Sequence, residues 1–212
     1  MPKVQRIKKG KEYFKLPPNL PDYEEACKNF KKWSDFEREL TFFEDGGINA
    51  AFNAIDRHVL TWRKNKVALY FESEKGEKRA FTFFDMQILS NKACNVLKDL
   101  GLSRGERAFI FLPRVPELFY CFLGIQKLGA IAGTMFSAFG PQALEDRLGS
   151  SSAEILITNS ELAPRVEKIR HKLPNLRHVI IIDSPAFTEK MAKASENTHV
   201  AHMDLDDPAF ML

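Results

Sequence analysis

One segment of the sequence combines residue types that could bind a nucleotide. Residues 133–141, GTMFSAFGP, follow an apolar run typical of a buried strand, and their final proline can open a helix. In open parallel sheets, ligands collect at the carboxyl ends of strands, where the amino terminus of the next helix attracts phosphate. An exposed Phe136 could stack there on an adenine ring. The alternative, which the pattern alone favours, is that Phe136 and Phe139 are core aromatic residues covering the sheet.

Glycine-rich phosphate loops are not supported elsewhere in the sequence. Gly124 and Gly129 have the G-x4-G spacing of a phosphate-binding loop, but Ala130 and Ile131 occupy the positions of its lysine and hydroxyl residue. We therefore interpret the two glycines as helix-packing positions. The sequence also contains no G-x-G-x-x-G motif, which removes the main support for a dinucleotide-binding protein.

Catalytic and metal-binding motifs are likewise missing, so we predict no catalytic residue and no metal site. No G-x-S-x-G motif surrounds the serines at 150–152, and His58 is interpreted as a surface or packing residue rather than a base. The acidic pairs at 44–45 and 206–207 are interpreted as turn residues. The five histidines form no pair at zinc-ligand spacing: His58, His171, His178, His199 and His202.

Apolar strands and amphipathic helices alternate along the sequence from residue 67 onwards. This order predicts an α/β fold with a largely parallel sheet flanked by helices on both faces. Thr82 and Asp85 have the spacing of a capping box, and Ser160 is predicted to cap a later helix. Residues 184–207 are predicted to be an irregular connection. The predicted strands are 67–71, 79–82, 108–112, 130–136, 154–158 and 178–183, and the predicted helices are 49–62, 83–100, 116–128, 141–148 and 161–173.

The chain is predicted to contain two parts, an irregular or helical amino-terminal arm at 1–48 and an α/β subdomain at 49–212. Charges of both signs are mixed and the formal net charge is only +3, so we expect no nucleic-acid partner. Charges also interrupt every candidate membrane span, so we expect no membrane partner. The three cysteines, Cys27, Cys94 and Cys121, form no CxxC pair, which favours reduced thiols and a cytoplasmic location. A basic cluster near the start is interpreted as a solvated tail: Lys3, Arg6, Lys8, Lys9, Lys11 and Lys15.

From about residue 20 onwards the sequence resembles the AMP-forming acyl-CoA synthetases, most closely their acetyl-CoA synthetase branch. Each matching stretch is a weak scaffold motif, whereas their common order and spacing are specific. The matching stretches are 47–51 (GINAA), 54–58 (AIDRH), 64–70 (KNKVALY), 105–107 (GER), 113–117 (PRVPE), 127–133 (KLGAIAG), 146–148 (DRL) and 155–158 (ILIT).

The resemblance implies a two-step reaction, in which a small carboxylic acid and MgATP form an acyl-adenylate and pyrophosphate, and CoA then displaces AMP. It also implies that Phe136 and Ser137 lie near the CoA nucleotide and that Arg165 approximates a basic residue meeting its phosphates. The sequence departs from the family here, because Ser137 and Ala138 replace glycines and Pro164-Arg165 replaces an arginine-flanked glycine pair. A guanidinium at Arg165 could still pair with phosphate in a bidentate manner.

Residues 207–212, DPAFML, resemble the segment immediately ahead of the family's phosphate loop. We therefore expect a chain truncated before that loop, dependent on the rest of the same polypeptide for catalysis, inactive alone and without a tightly bound cofactor. A non-catalytic α/β module that binds a nucleotide or a protein partner remains an alternative. A relative of the adenylating luciferases or peptide synthetases, which share the fold, is a further one.

Overall fold

The computed structural model of the protein describes residues 23–30, 32 and 34–212. By compactness the chain forms two units, one ending at Leu40 and one comprising Thr41–Leu212. The described part of the first unit contains two short helices, α1 (Tyr23–Asn29) and α2 (Ser34–Glu37). The predicted boundary at residue 48 stays a prediction, and the basic cluster at residues 3–15 lies outside the described residues.

The second unit is built on a parallel sheet with the strand order β6-β5-β3-β4-β7. A separate antiparallel hairpin of β1 and β2 precedes it in the chain. The α/β class and the largely parallel sheet are thus confirmed. The strands are β1 (Val67–Glu72), β2 (Lys78–Thr82), β3 (Arg107–Phe111), β4 (Ile131–Met135), β5 (Ile155–Thr158), β6 (His178–Ile181) and β7 (Phe210–Met211).

Helices connect the strands, as parallel crossovers require. Two segments depart from α geometry before the hairpin: a π-helical turn at Phe52–Asp56 and a 3₁₀ turn at Trp62–Asn65. The helix predicted at 49–62 is therefore shorter than expected, because it ends at Val59. The remaining helices are α3 (Arg57–Val59), α4 (Phe83–Asp99), α5 (Pro116–Lys127), α6 (Pro141–Ser150), α7 (Ala163–Glu167) and α8 (Pro185–Lys193).

Two hydrophobic clusters cover the sheet, one on each face. Alternate residues of β3 face opposite ways, so Ile110 belongs to the cluster formed with α4, α5 and α8. Phe109 and Phe111 belong to the cluster formed with α6 and α7. Burying a side chain of this size contributes about 1.5–3 kcal/mol. This two-sided burial explains why the strands are apolar throughout and confirms the prediction of helices on both faces.

Local sequence signals determine two of the helices in the second unit. The capping box of α4 is formed as predicted, because Thr82 Oγ1 accepts the Asp85 N–H at 3.1 Å and Asp85 Oδ2 accepts the Thr82 N–H at 2.8 Å. The packing role of Gly124 is confirmed as well. A Cβ at that position of α5 would lie 2.9 Å from the Ala93 Cβ on α4.

The prediction that Ser160 caps α7 is wrong. The Ser160 side chain instead bonds to Asp183 at the end of β6. The N–H of Leu162, where the helical turn begins, is bonded by the Asn159 side chain at 3.0 Å. Asn and Ser are both common capping residues, so the choice between Asn159 and Ser160 depends on where tertiary contacts place Asp183.

The interpretation of residues 184–207 as an irregular connection is also wrong in part, because it contains α8. Ser184 caps this helix by accepting the Phe187 N–H at 3.2 Å, and Pro185 occupies its first turn. Phe187 is the only buried residue of α8, and most of the helix is exposed, so the polar composition of the segment concealed it. Ser184 followed by Pro185 was the sequence signal that could have indicated the start of this helix.

A polar seam, defined by Asp56, Gln87, Asn91 and Lys127, is buried where the helical turns at 52–59 meet α4 and α5. Lys127 is fully buried, with its Nζ 2.9 Å from both carboxylate oxygens of Asp56 and 2.7 Å from Asn91 Oδ1. Gln87 Nε2 donates to Asp56 Oδ1 at 2.8 Å. Burial lowers the pKa of Lys127, and the Asp56 carboxylate opposes that shift.

Asn49 extends the polar seam to the distant segment near Ala201. Its buried side-chain amide donates to the carbonyls of Gln126 and Ala201, both at 2.9 Å. Its Oδ1 accepts the Ala51 N–H at 3.0 Å at the start of the helical turns. One side chain thus caps a helix and joins three parts of the chain.

Across the ranges that the structure describes, no helix combines the length and the apolar character needed to cross a bilayer.

Candidate nucleotide-binding cleft

An open cleft of about 930 Å³ lies at the carboxyl ends of β3 and β4. Both strands run in the same direction, so their ends reach the same edge of the sheet. The turn of the β1–β2 hairpin forms the opposite wall. This placement follows the general rule that open parallel sheets bind ligands outside the carboxyl ends of their strands. The lining residues fall in three groups, 71–77 in the hairpin, 112–118 after β3 and 134–137 at the end of β4.

The loop after β4 separates the two phenylalanines predicted at this position. The Phe136 side chain is 63% exposed and lines the cleft, so Phe136 is not a core residue. Phe139 is half-buried and packs against the core cluster of α6 and α7. The Arg147 guanidinium lies over its ring at 4.3 Å. Phe139 thereby anchors the loop, while Phe136 presents an aromatic face to solvent.

Arg165 of α7 holds this loop through its main chain. Its Nη1 donates to the carbonyl oxygen of Ser137 at 2.7 Å and to that of Phe139 at 3.3 Å. The structure thus brings Ser137 and Arg165 into contact and places Phe136 next to them in the same loop. The family resemblance implies that these residues bind CoA, and that role stays a prediction.

The charges lining the cleft are unevenly distributed. On the hairpin wall, Glu72 pairs with Lys78 at 3.4 Å and Glu77 with Arg79 at 3.1 Å. Glu74 and Lys75 lie at the same turn, and both are exposed without an ion pair among the described residues.

On the opposite wall, Arg114 follows β3 and is exposed to solvent. Within the described ranges, its side chain makes no ion pair or hydrogen bond. Sequence reasoning did not select Arg114, although a lone arginine between Pro113 and Pro116 directly after a buried strand was a usable signal.

The cleft offers an aromatic ring, a guanidinium and exposed main chain, which suit a planar base carrying an anionic group. A resident metal does not fit the residues, since the described part of the chain has no group of three His, Cys, Asp or Glu side chains that could hold one.

His58 packs against Phe83 with ring centroids 4.9 Å apart, and partial burial lowers its pKa. That environment agrees with a packing role.

A largely parallel sheet covered by helices on both faces, with a cleft at its strand ends, defines a protein of the open α/β class. The family model described as AMP-binding enzyme matches residues 55–212, and the chain belongs to that family. Its similarity to acetyl-coenzyme A synthetases is high. The chain is 44% identical over 169 residues to that of Bacillus subtilis (strain 168), covering 79% of this chain. It is 30% identical over 202 residues to that of Halorhodospira halophila, covering 85% of this chain.

A solved structure supports the same assignment. The crystal structure of the Brucella canis acyl-CoA synthetase matches 89% of this chain with a TM-score of 0.76 and 30% identity. The chain spans 29% of the Bacillus protein, 31% of the Halorhodospira protein and 35% of the Brucella chain. The chain is therefore homologous to AMP-forming acid–thiol ligases over a part of their length.

Proposed function

We propose that this chain is the amino-terminal part of an ATP-dependent, AMP-forming acetyl-CoA or acyl-CoA synthetase. The full-length protein would join a small carboxylic acid to CoA through an acyl-adenylate, with AMP and pyrophosphate as the other products. The main support is the cleft at the ends of β3 and β4, which combines an exposed Phe136 with a loop held by Arg165 in a chain of this family.

Within this proposal, the loop at 136–140 binds the nucleotide part of CoA. Phe136 stacks on the adenine, and stacking of a base on an aromatic ring contributes about 1–3 kcal/mol. Ser137 lies half-exposed beside it, with its carbonyl engaged by Arg165. Because this carbonyl is engaged, the loop is ordered before the ligand arrives, which lowers the entropic cost of binding.

The remaining parts of the reaction are assigned to the rest of the same polypeptide. The cleft residues of this chain include neither a paired general acid and base nor a group that could hold Mg²⁺, so ATP, the metal ion that accompanies it and the carboxylic acid would bind elsewhere. We also propose a cytoplasmic location, with which the free buried thiols of Cys94 and Cys121 agree.

Pyrophosphate release tests the catalytic part of the proposal. The 212-residue chain mixed with MgATP, CoA and acetate should release no pyrophosphate above a protein-free control. A longer chain, extended with the downstream sequence of its own gene, should release pyrophosphate in step with acetate consumption. Turnover by the short chain alone would refute its assignment as an incomplete enzyme.

Calorimetry with CoA and with ATP separates this proposal from a dedicated binding module. Part of a split site should bind CoA at about the millimolar level, which corresponds to about 4 kcal/mol. The variant Phe136→Ala should weaken that binding by about tenfold, because it removes the stacking surface. Micromolar affinity of the isolated chain would instead favour a non-catalytic module.

A further inference from the structure

The two arginines near the cleft have different environments. Arg165 is half-buried and donates from Nη1 to two main-chain carbonyls of the loop after β4. Arg114 is exposed, lines the cleft and makes no side-chain hydrogen bond or ion pair in the part of the chain that the structure describes. The Nη1 of Arg165 is engaged in ordering the loop, whereas no donor of the Arg114 guanidinium is engaged by the described residues, so the whole Arg114 group remains available to a ligand.

We propose that Arg114 is the residue that contacts the phosphate groups of the ligand in this cleft, and that Arg165 is a positioning residue for Phe136 and Ser137. The ligand class is a nucleotide carrying a diphosphate, and this inference rests on the proposed function. The planar guanidinium of arginine matches phosphate oxygens in a bidentate manner. Arg114 and Phe136 line the same cleft from adjacent strands, so one ligand can meet both of them.

The charged groups facing Arg114 support this assignment and make it more specific. The acids across the cleft lie on the hairpin turn, and Glu72 and Glu77 are neutralised there by Lys78 and Arg79. Glu74 has no such partner among the described residues, and its carboxylate opposes an incoming anion. Its neighbour Lys75 is exposed, lines the same cleft and likewise has no ion pair among those residues, so it attracts an anion from the hairpin wall. Removing the charge of Glu74 should therefore strengthen anion binding, opposite to the effect of removing Arg114.

The test is an NMR-detected titration of the 212-residue chain with inorganic pyrophosphate and, separately, with CoA, at low and at physiological salt. Arg114→Gln should weaken pyrophosphate and CoA binding by about tenfold, and Arg114→Lys should weaken it by about threefold. Glu74→Gln should strengthen both by about twofold. The matched control is Lys168→Gln, which removes an exposed charge outside the cleft and should leave both affinities unchanged.

A second measurement separates positioning by Arg165 from direct contact. Arg165→Gln should shift the amide resonances of residues 137–139 in the free protein and accelerate their hydrogen exchange, and Arg165→Lys should partly restore both. If Arg165→Gln weakened pyrophosphate binding while leaving the free loop unchanged, Arg165 would be the direct ligand and the assignment would be overturned.

The outcomes also distinguish this inference from the proposed function. Pyrophosphate binding that depends on Arg114, without any CoA binding, would support the anion subsite and refute the CoA site. CoA binding with equal affinity in Arg114→Gln and Lys168→Gln would support the CoA site and overturn the role of Arg114. Absence of binding of both probes to the wild-type chain would overturn both.

Discussion

Lys127 in the polar seam and Arg114 in the cleft are cations with opposite surroundings. Lys127 is fully buried, and its ammonium group is held by Asp56 and Asn91 at 2.7–2.9 Å. Arg114 is exposed and makes no ion pair or side-chain hydrogen bond among the residues that the structure describes. The seam joins three helical segments, whereas the cleft lies where two strands end.

The difference in burial determines what each charge contributes to stability and to ligand binding. A buried ion pair adds little net stability compared with apolar packing, but removal of one partner leaves an uncompensated charge in a low-dielectric interior. An exposed, unpaired cation can be removed with little effect on folding and is available to an anion. The buried Lys127–Asp56 pair therefore specifies how the helices pack, whereas the unpaired Arg114 leaves the cleft able to bind an anion.

The largest expected effect comes from breaking the seam. Lys127→Met should lower the free energy of unfolding by about 3–5 kcal/mol, because the Asp56 carboxylate remains buried without its cation. Urea denaturation monitored by circular dichroism measures this change. The double variant Lys127→Met/Asp56→Leu should recover much of the loss, since it removes both charges.

Arg114→Gln is the matched control in the cleft and should change the free energy of unfolding by no more than about 0.5 kcal/mol. Equal destabilisation by Lys127→Met and Arg114→Gln would contradict the distinction between the two regions.

An intermediate effect is expected in the sheet beneath the cleft. Gly133 of β4 lies opposite Phe109 of β3, and a Cβ at Gly133 would lie 2.3 Å from the Phe109 ring. Gly133→Ala should therefore destabilise the protein by about 1–3 kcal/mol through overpacking. Thermal unfolding measures the change. Gly140→Ala is the control, because no atom lies within 4 Å of the added methyl group, and it should unfold almost like the wild type.

The smallest effect concerns the exposed, hydrogen-bonded pair of Asp45 and His202. A hydrogen bond from His202 at 2.7 Å, followed by one from the Gly47 N–H, lowers the pKa of Asp45 below its ordinary value of 3.8. The contribution of Asp45 is therefore present above pH 3.8 and is lost as pH falls through its lowered folded-state pKa. Asp45→Asn should lower the melting temperature slightly near neutral pH, and its difference from the wild type should shrink as the pH falls below 3.8.

Melting temperatures of the wild type and Asp45→Asn between pH 7 and pH 3 should thus converge on acidification. The exposed Asp206→Asn serves as the control and should run parallel to the wild type throughout. A difference between Asp45→Asn and the wild type that grows as pH falls would contradict the role of the His202 contact.

Sequence reasoning succeeded where local signals and burial agree. The capping box at Thr82 and the strand β3, apolar and buried from Ala108 to Phe111, were identified because each depends on residues close together in the chain. It failed at α8, which lies in a mostly polar, exposed segment, and at Ser160, where Asp183 after a neighbouring strand supplies the competing partner. Within the site, the sequence indicated the loop at 136–140 but not the opposite wall, because the hairpin turn lies about sixty residues earlier in the chain.

Residue order alone was enough to predict the alternation of strands and helices, the family and the segment that carries Phe136. These follow from residue order, since periodicity and motif spacing are properties of the chain. The folded chain was needed to show that Phe136 is exposed while Phe139 is packed, that Arg165 holds the loop and that Lys127 is buried beside Asp56. Those outcomes depend on which side chains meet across the fold, and residues distant in the chain compete for the same partners.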